Sequence, residues 1–221
     1  MAATLSNGLR VLDLYCCQGG AAAGYAAAGF EVTGVDIAPQ PRYPYRFIQA
    51  DAIAFAREHG AEFDFIHASP PCQLDSDCQR LRGNTHPDLI GPTRTALEAT
   101  GRPFVIENVR GALPKLRNPT LLCGAMFSLR TYRHRYFEPG GGLTIAQPGH
   151  PAHTAPQAKM GRPVPPGHYG QFVGNFSGVS LARQVMSVTW MNRDGIRECI
   201  PPAYTHHIAR TLAAARLEVA A

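Results

Sequence analysis

The stretch Arg10-Val11-Leu12-Asp13-Leu14-Tyr15-Cys16-Cys17-Gln18-Gly19-Gly20 decides how the rest of the chain is read. Residues 10–14 form a short apolar run ending in Asp13-Leu14, and Gln18-Gly19-Gly20 supplies a turn. The segment that follows, to Ala28, is rich in alanine, the strongest helix former. Gly29 then stands where a helix C-cap glycine belongs. A strand that enters a helix through a tight glycine turn lets backbone approach a ligand closely.

Working outward, the same alternation repeats. Residues 31–35 read as a second strand with Asp36 at its end, and residues 47–50 as a third, closed by Asp51. A helix is predicted over 52–59, stopped by Gly60, and a fourth strand over 63–67. Pro70-Pro71 break the pattern into a loop. A helix over 93–99 and a strand over 103–106, ending at Glu107, complete the series. Strands alternating with helices predict an α/β fold, a mostly parallel sheet with helices on both faces. In such sheets ligands bind beyond the carboxyl ends of the strands, so Asp13, Asp36, Asp51, the Pro70–Cys72 loop and Glu107 are the candidates.

Residues 139–178 differ. Glycine and proline are dense there, and no periodicity is sustained, which predicts a small irregular insert between 1–138 and 179–221. Pro201-Pro202 are placed to start a last helix over 203–217.

Composition bounds the function more loosely. The 221 residues suit one domain, and no run approaches the roughly 20 apolar residues of a membrane span. The first ten residues lack a basic segment followed by an apolar one, so a cytoplasmic protein is expected. A net charge of +5 is compatible with a polyanionic partner. The six cysteines form no CxxC pair and are expected to be reduced thiols. No metal site is assigned: His150-x-x-His153 has no third ligand near it in the sequence, and His206 and His207 read as helix-surface residues.

Four constellations carry chemistry. Asp13–Gly20 with Asp36 suits a nucleoside-containing cofactor, since an acid ending the second strand accepts hydrogen bonds from ribose hydroxyls. Pro70-Pro71-Cys72-Gln73 presents a cysteine on a stiffened loop, as a nucleophile requires. Glu107-Asn108-Val109 places a carboxyl group in the same crevice. Tyr132-Arg133-His134-Arg135 sets two arginines two residues apart, on one face if the segment is a strand.

Together, in this order, they resemble the DNA cytosine-5 methyltransferase family. The likeness covers residues 10–138, with a looser one in the final helix. It implies a Rossmann-like S-adenosylmethionine-dependent methyltransferase fold. It also implies a set of roles. Asp13, Gly19, Gly20 and Pro70 line the S-adenosylmethionine site, and Tyr15 stands near the adenine. Asp36 binds the ribose, Ile37 packs on the adenine ring and Asp51 bonds its amino group. Cys72 attacks carbon 6 of a cytosine flipped out of DNA, Glu107 holds N3 and the exocyclic amine, and Arg133 and Arg135 complete the catalytic set. Adding a thiolate at carbon 6 makes carbon 5 enamine-like, and a proton shared between Glu107 and N3 stabilises the charge pushed into the ring. Two departures stand out. Cys17 occupies a glycine position of the family's first motif, where it crowds the cofactor or reshapes the turn. The insert is far smaller than the family's target-recognition region, so Arg162, His168, Gln171 and Asn175 are the DNA-contact candidates within it, and a dimer or partner is expected to complete the grip. The same chemistry on RNA or a free pyrimidine nucleotide, and a catalytically silent cofactor- or DNA-binding module, stay open as alternatives.

Overall fold

Apolar side chains alternate between two faces along the central strand, and each face finds its own helices. The computed structural model describes residues 6–71 and 88–219, with the side chains of the last helix described to residue 212. Among these residues the strands are β1 (Arg10–Leu14), β2 (Glu31–Asp36), β3 (Arg46–Gln49), β4 (Phe65–Ala68), β5 (Phe104–Asn108), β6 (Thr120–Leu122) and β7 (Arg135–Gly140). They form one sheet in the order β3-β2-β1-β4-β5-β7-β6. The first five run parallel, and β7 is antiparallel to both β5 and β6. The helices are α1 (Gly20–Ala27), α2 (Ala52–His59), α3 (Ile90–Ala99), α4 (Val179–Met186), α5 (Arg193–Glu198) and α6 (Pro202–Val219).

Val11, Val32, Phe65, Val105 and Phe137 pack with Tyr25 of α1 and Tyr204 and Ile208 of α6 on one face. Leu12, Leu14, Val35, Ile66 and Ile106 pack with Ala52 and Ala56 of α2 and Leu97 of α3 on the other. This is the α/β layering predicted from the strand–helix alternation. The predicted elements reappear with ends shifted by a few residues: α3 begins at Ile90, β4 runs Phe65–Ala68, and β5 extends through Asn108, so Glu107 lies inside the strand.

The insert is irregular beyond Gly140, with an isolated bridge between Gln157 and Tyr169. Its distal end is packed nonetheless. Phe172 and Phe176 are buried against Met186 of α4, Met191 and Ile196 of α5 in a third apolar cluster. His207 of α6 donates from Nε2 to the Ala146 carbonyl (2.7 Å), which ties the start of the insert to the body.

Candidate functional site

Register brings the motif residues to one edge. Leu14 pairs with Val35 and with Ala68, and Ala68 pairs with Ile106. Tyr15, Asp36, Ser69 and Glu107 therefore leave the sheet side by side. They open onto a cleft of about 400 Å³, within the roughly 300–1,000 Å³ of small-molecule sites. Asp13, Tyr15, Gly20, Asp36, Ile37 and Pro70 line it at one end, and Glu107 and Arg135 stand beside them.

Asp36 organises the β1–α1 turn. Its Oδ2 accepts from the Cys17 amide (3.0 Å) and its Oδ1 from the Ala38 amide (3.0 Å). Each oxygen keeps a lone pair for another donor. Ile37, next to it, is 71% exposed on the cleft wall, an unusual position for a large apolar side chain. Cys17 takes the left-handed backbone (φ 44) that a glycine adopts freely, and directs Sγ toward Glu198 Oε2 at 3.7 Å. Gly19 also has positive φ (80), and a side chain there would press on the Tyr43 ring. At Gly20 a Cβ would meet Cys199 Sγ and the Ile200 carbonyl, so this glycine lets the C-terminal segment close on the turn. Tyr15 donates or accepts at Thr93 Oγ1 (2.7 Å), anchoring its ring to α3.

Asp13 is buried, with its carboxyl pushed up to about 8 by desolvation, against hydrogen bonds from Tyr43 and the Ala22 amide. Asp51 is outside the cleft lining. It caps α2 by accepting from the Ala54 amide (2.8 Å).

At the other end, Glu107 is 6% exposed and stands 2.8 Å from Arg135 Nε as an ion pair. The oxygen facing Arg135, Oε1, is fully buried, and its contact with the guanidinium is an ion pair without hydrogen-bond geometry. Burial raises the Glu107 carboxyl above its usual range, against the pull of Arg135, Arg133 and a hydrogen bond from Ser69. Ser69 Oγ in turn meets His67 Nε2 (2.9 Å), and His67 Nδ1 meets the Tyr25 hydroxyl (3.0 Å). Burial lowers His67 to about 3, so it is a neutral ring. With Tyr25 donating to Nδ1, Nε2–H donates to Ser69, which is left to donate to Glu107. Asn108 Nδ2 donates to the Pro70 carbonyl (3.0 Å), joining the carboxylate strand to the proline loop.

The predicted nucleophile Cys72, with Gln73, lies outside the described residues; the described chain reaches the cleft at Pro70 and Pro71. Arg133 and Arg135 do not share a strand face. β7 begins at Arg135, and Arg133 precedes it with φ 32 and a buried guanidinium. Its Nε donates to Cys199 O (2.7 Å), NH1 to Phe172 O (2.9 Å) and NH2 to Ile196 O (3.1 Å) and Arg197 O (2.8 Å). Arg133 is thus a clasp that gathers main-chain carbonyls of the insert and α5, and it is outside the cleft lining. In the insert, Arg162 and Asn175 are exposed, while His168 and Gln171 are half-buried.

Sequence reading missed the residues that close the cleft. Gln18 Nε2 donates to Asn192 Oδ1 (2.8 Å), Asn192 N donates to Gln18 Oε1 (3.1 Å), and Trp190 Nε1 donates to Gln18 O (2.7 Å). Helices α4 and α5, which carry this segment, were not predicted, and His67 and Ser69 were not singled out. The lone Trp190 was the available signal, since an indole N–H usually finds a partner when buried.

No family model and no curated protein matches the chain. Among solved structures it is similar to a candidate DNA modification methyltransferase encoded within a prophage of E. coli. That match has 15% identity, covers 94% of this chain and 99% of that one, and has a TM-score of 0.60. It is also similar to the Entamoeba histolytica methyltransferase EhMeth, at 10% identity over 94% and 98% of the two chains, with a TM-score of 0.55. At these identities the likeness concerns the fold. The chain has a Rossmann-like α/β methyltransferase fold.

Proposed function

We propose that the protein transfers a methyl group from S-adenosylmethionine to carbon 5 of cytosine in DNA. The observation that carries the reading is the buried Glu107 carboxyl, ion-paired with Arg135 in the lining of the same cleft as Asp36 and Pro70. A protonated Glu107 would donate to N3 of a cytosine and accept from its exocyclic amine.

The opposite end fits the cofactor. Asp36 has lone pairs left for the two ribose hydroxyls, and Ile37 offers the adenine an exposed apolar surface. Bound S-adenosylmethionine would supply an electrophilic methyl group. The protein's own part is to activate the base. Cys72, which follows Pro71 in sequence, would add its thiolate to carbon 6. Glu107, its carboxyl raised by burial, would carry a proton at neutral pH more readily than an exposed glutamate and hold it against N3. Arg135 would keep the carboxyl in place and balance its charge in the ionised form.

DNA is the proposed partner, with the cytosine flipped out of the stack because a stacked carbon 6 is out of reach. The test is trapping on duplex DNA containing 5-fluorocytosine in the presence of cofactor. A denaturation-resistant adduct is expected from the wild type and none from Cys72→Ser. Methyl transfer to RNA or dCMP in place of DNA would overturn the substrate, and no adduct or transfer on any of the three would overturn the enzyme.

A further inference from the structure

At the β6–β7 edge of the sheet, four soft or borderline donors converge. Cys123 follows β6 and is buried, and His134 immediately precedes β7. His150 and His153 come from the insert and are exposed. One ligand atom from each lies within 4.8 Å of the others. Cys123 Sγ is 3.3 Å from His153 Nε2, which is 3.2 Å from His150 Nε2. A tetrahedral zinc ion with bonds of about 2.0–2.1 Å to nitrogen and 2.3 Å to sulfur sets its ligand atoms about 3.3–3.6 Å apart. The two closest contacts are of about that size, and the remaining ligand atoms lie within 4.8 Å of one another.

Hydrogen bonding alone leaves the cluster poorly satisfied. His134 Nε2 is buried with no partner. His153 Nε2 has two polar neighbours and at most one proton to give. A cation at the centre would engage all four atoms at once. We propose that Cys123, His134, His150 and His153 form a zinc site that fastens the insert to the β6–β7 edge.

The donor set of one thiolate and three imidazoles suits zinc, and four protein ligands make a closed, structural site. The rings are prepared for it. Tyr132 stacks on His153 at 3.6 Å between centroids, and its hydroxyl donates to Ala155 O (2.8 Å), holding the 150s segment in place. Binding would release one proton, from the Cys123 thiol to solvent, as zinc takes up the thiolate. The sequence hides the site because the ligands come from two strand ends and a loop, without the paired spacing of zinc-finger motifs.

The test of this site needs no activity. Untagged full-length protein, stripped with chelator and titrated with cobalt(II), is expected to show thiolate-to-cobalt charge transfer and the intense visible bands of tetrahedral cobalt, saturating near about one equivalent. The purified protein is expected to carry a similar amount of zinc by elemental analysis. Cys123→Ser removes the charge-transfer band. His150→Ala and His153→Ala, at exposed positions that leave the fold intact by circular dichroism, weaken binding by at least about 100-fold, while His168→Ala changes nothing. Weak six-coordinate cobalt spectra, or unchanged affinity in the two histidine variants, would overturn the proposal.

Discussion

Glu107 illustrates how one residue carries the chemistry. Its strand buries it, Arg135 steadies it, and it lines the cleft. Glu107→Gln keeps the shape and loses the exchangeable proton. Methyl transfer is expected to fall by at least about 100-fold, with cofactor affinity by calorimetry unchanged, because the ribose and adenine contacts lie at the other end. Asp13 shows the opposite use of burial. Its carboxyl ordinarily ionises near 3.8 and in the folded chain near 8. Between those values the unfolded chain has released a proton that the folded chain keeps, so stability falls as pH rises through that window. At about 1.4 kcal/mol per pH unit the cost at pH 8 is several kcal/mol. Asp13→Asn is expected to raise Tm by about 5–10 °C at pH 8 and hardly at all at pH 4, read by calorimetry across pH. The motif letters named Asp13, Asp36, Ile37, Glu107 and Arg135 as residues of one crevice, and all five line the cleft. Arg133 and Asp51 were named with them but lie outside the cleft lining: the strand starts only at Arg135, two residues after Arg133, and the Asp51 carboxylate serves as a helix cap.

At the scale of elements, α1 and α6 lie close enough that Gly24 is obligatory. A Cβ there would strike Thr205 Oγ1 and the Pro202 carbonyl. Alanine favours a helix over glycine by up to about 1 kcal/mol, but overpacking against backbone costs about 1–3 kcal/mol or more. The clash wins, and Gly24→Ala is expected to lower Tm by at least about 4 °C in thermal denaturation. The parallel strands were legible because each is a short apolar run closed by a polar residue and followed by a helix or turn. Short β6 and helices α4 and α5 were not, since α4 and α5 are one or two turns long and take their stability from packing against Phe172 and Phe176, not from their own pattern.

Across the whole molecule, the cleft is built from both ends of the chain. Residues 13–38 supply one wall, and residues 191–200 supply another. Asn192 joins them through Gln18 and also caps α5 by accepting from the Gly195 amide (3.0 Å). It is not itself part of the lining. Asn192→Ala is expected to weaken S-adenosylmethionine binding about tenfold, through two lost side-chain bonds of roughly 1 kcal/mol each, and to speed deuterium exchange in 16–20 and 190–198 together. No helix among the described residues is long and apolar enough to cross a membrane.

The Gln18–Asn192 clasp has a bearing on how the protein is made. While synthesis has proceeded only through Gly178, a nascent chain already owns every strand of the sheet yet just one side of the nucleoside-sized slot. Cofactor-binding competence would then arrive late in synthesis, once the final stretch through Ile200 has emerged and can close the second wall.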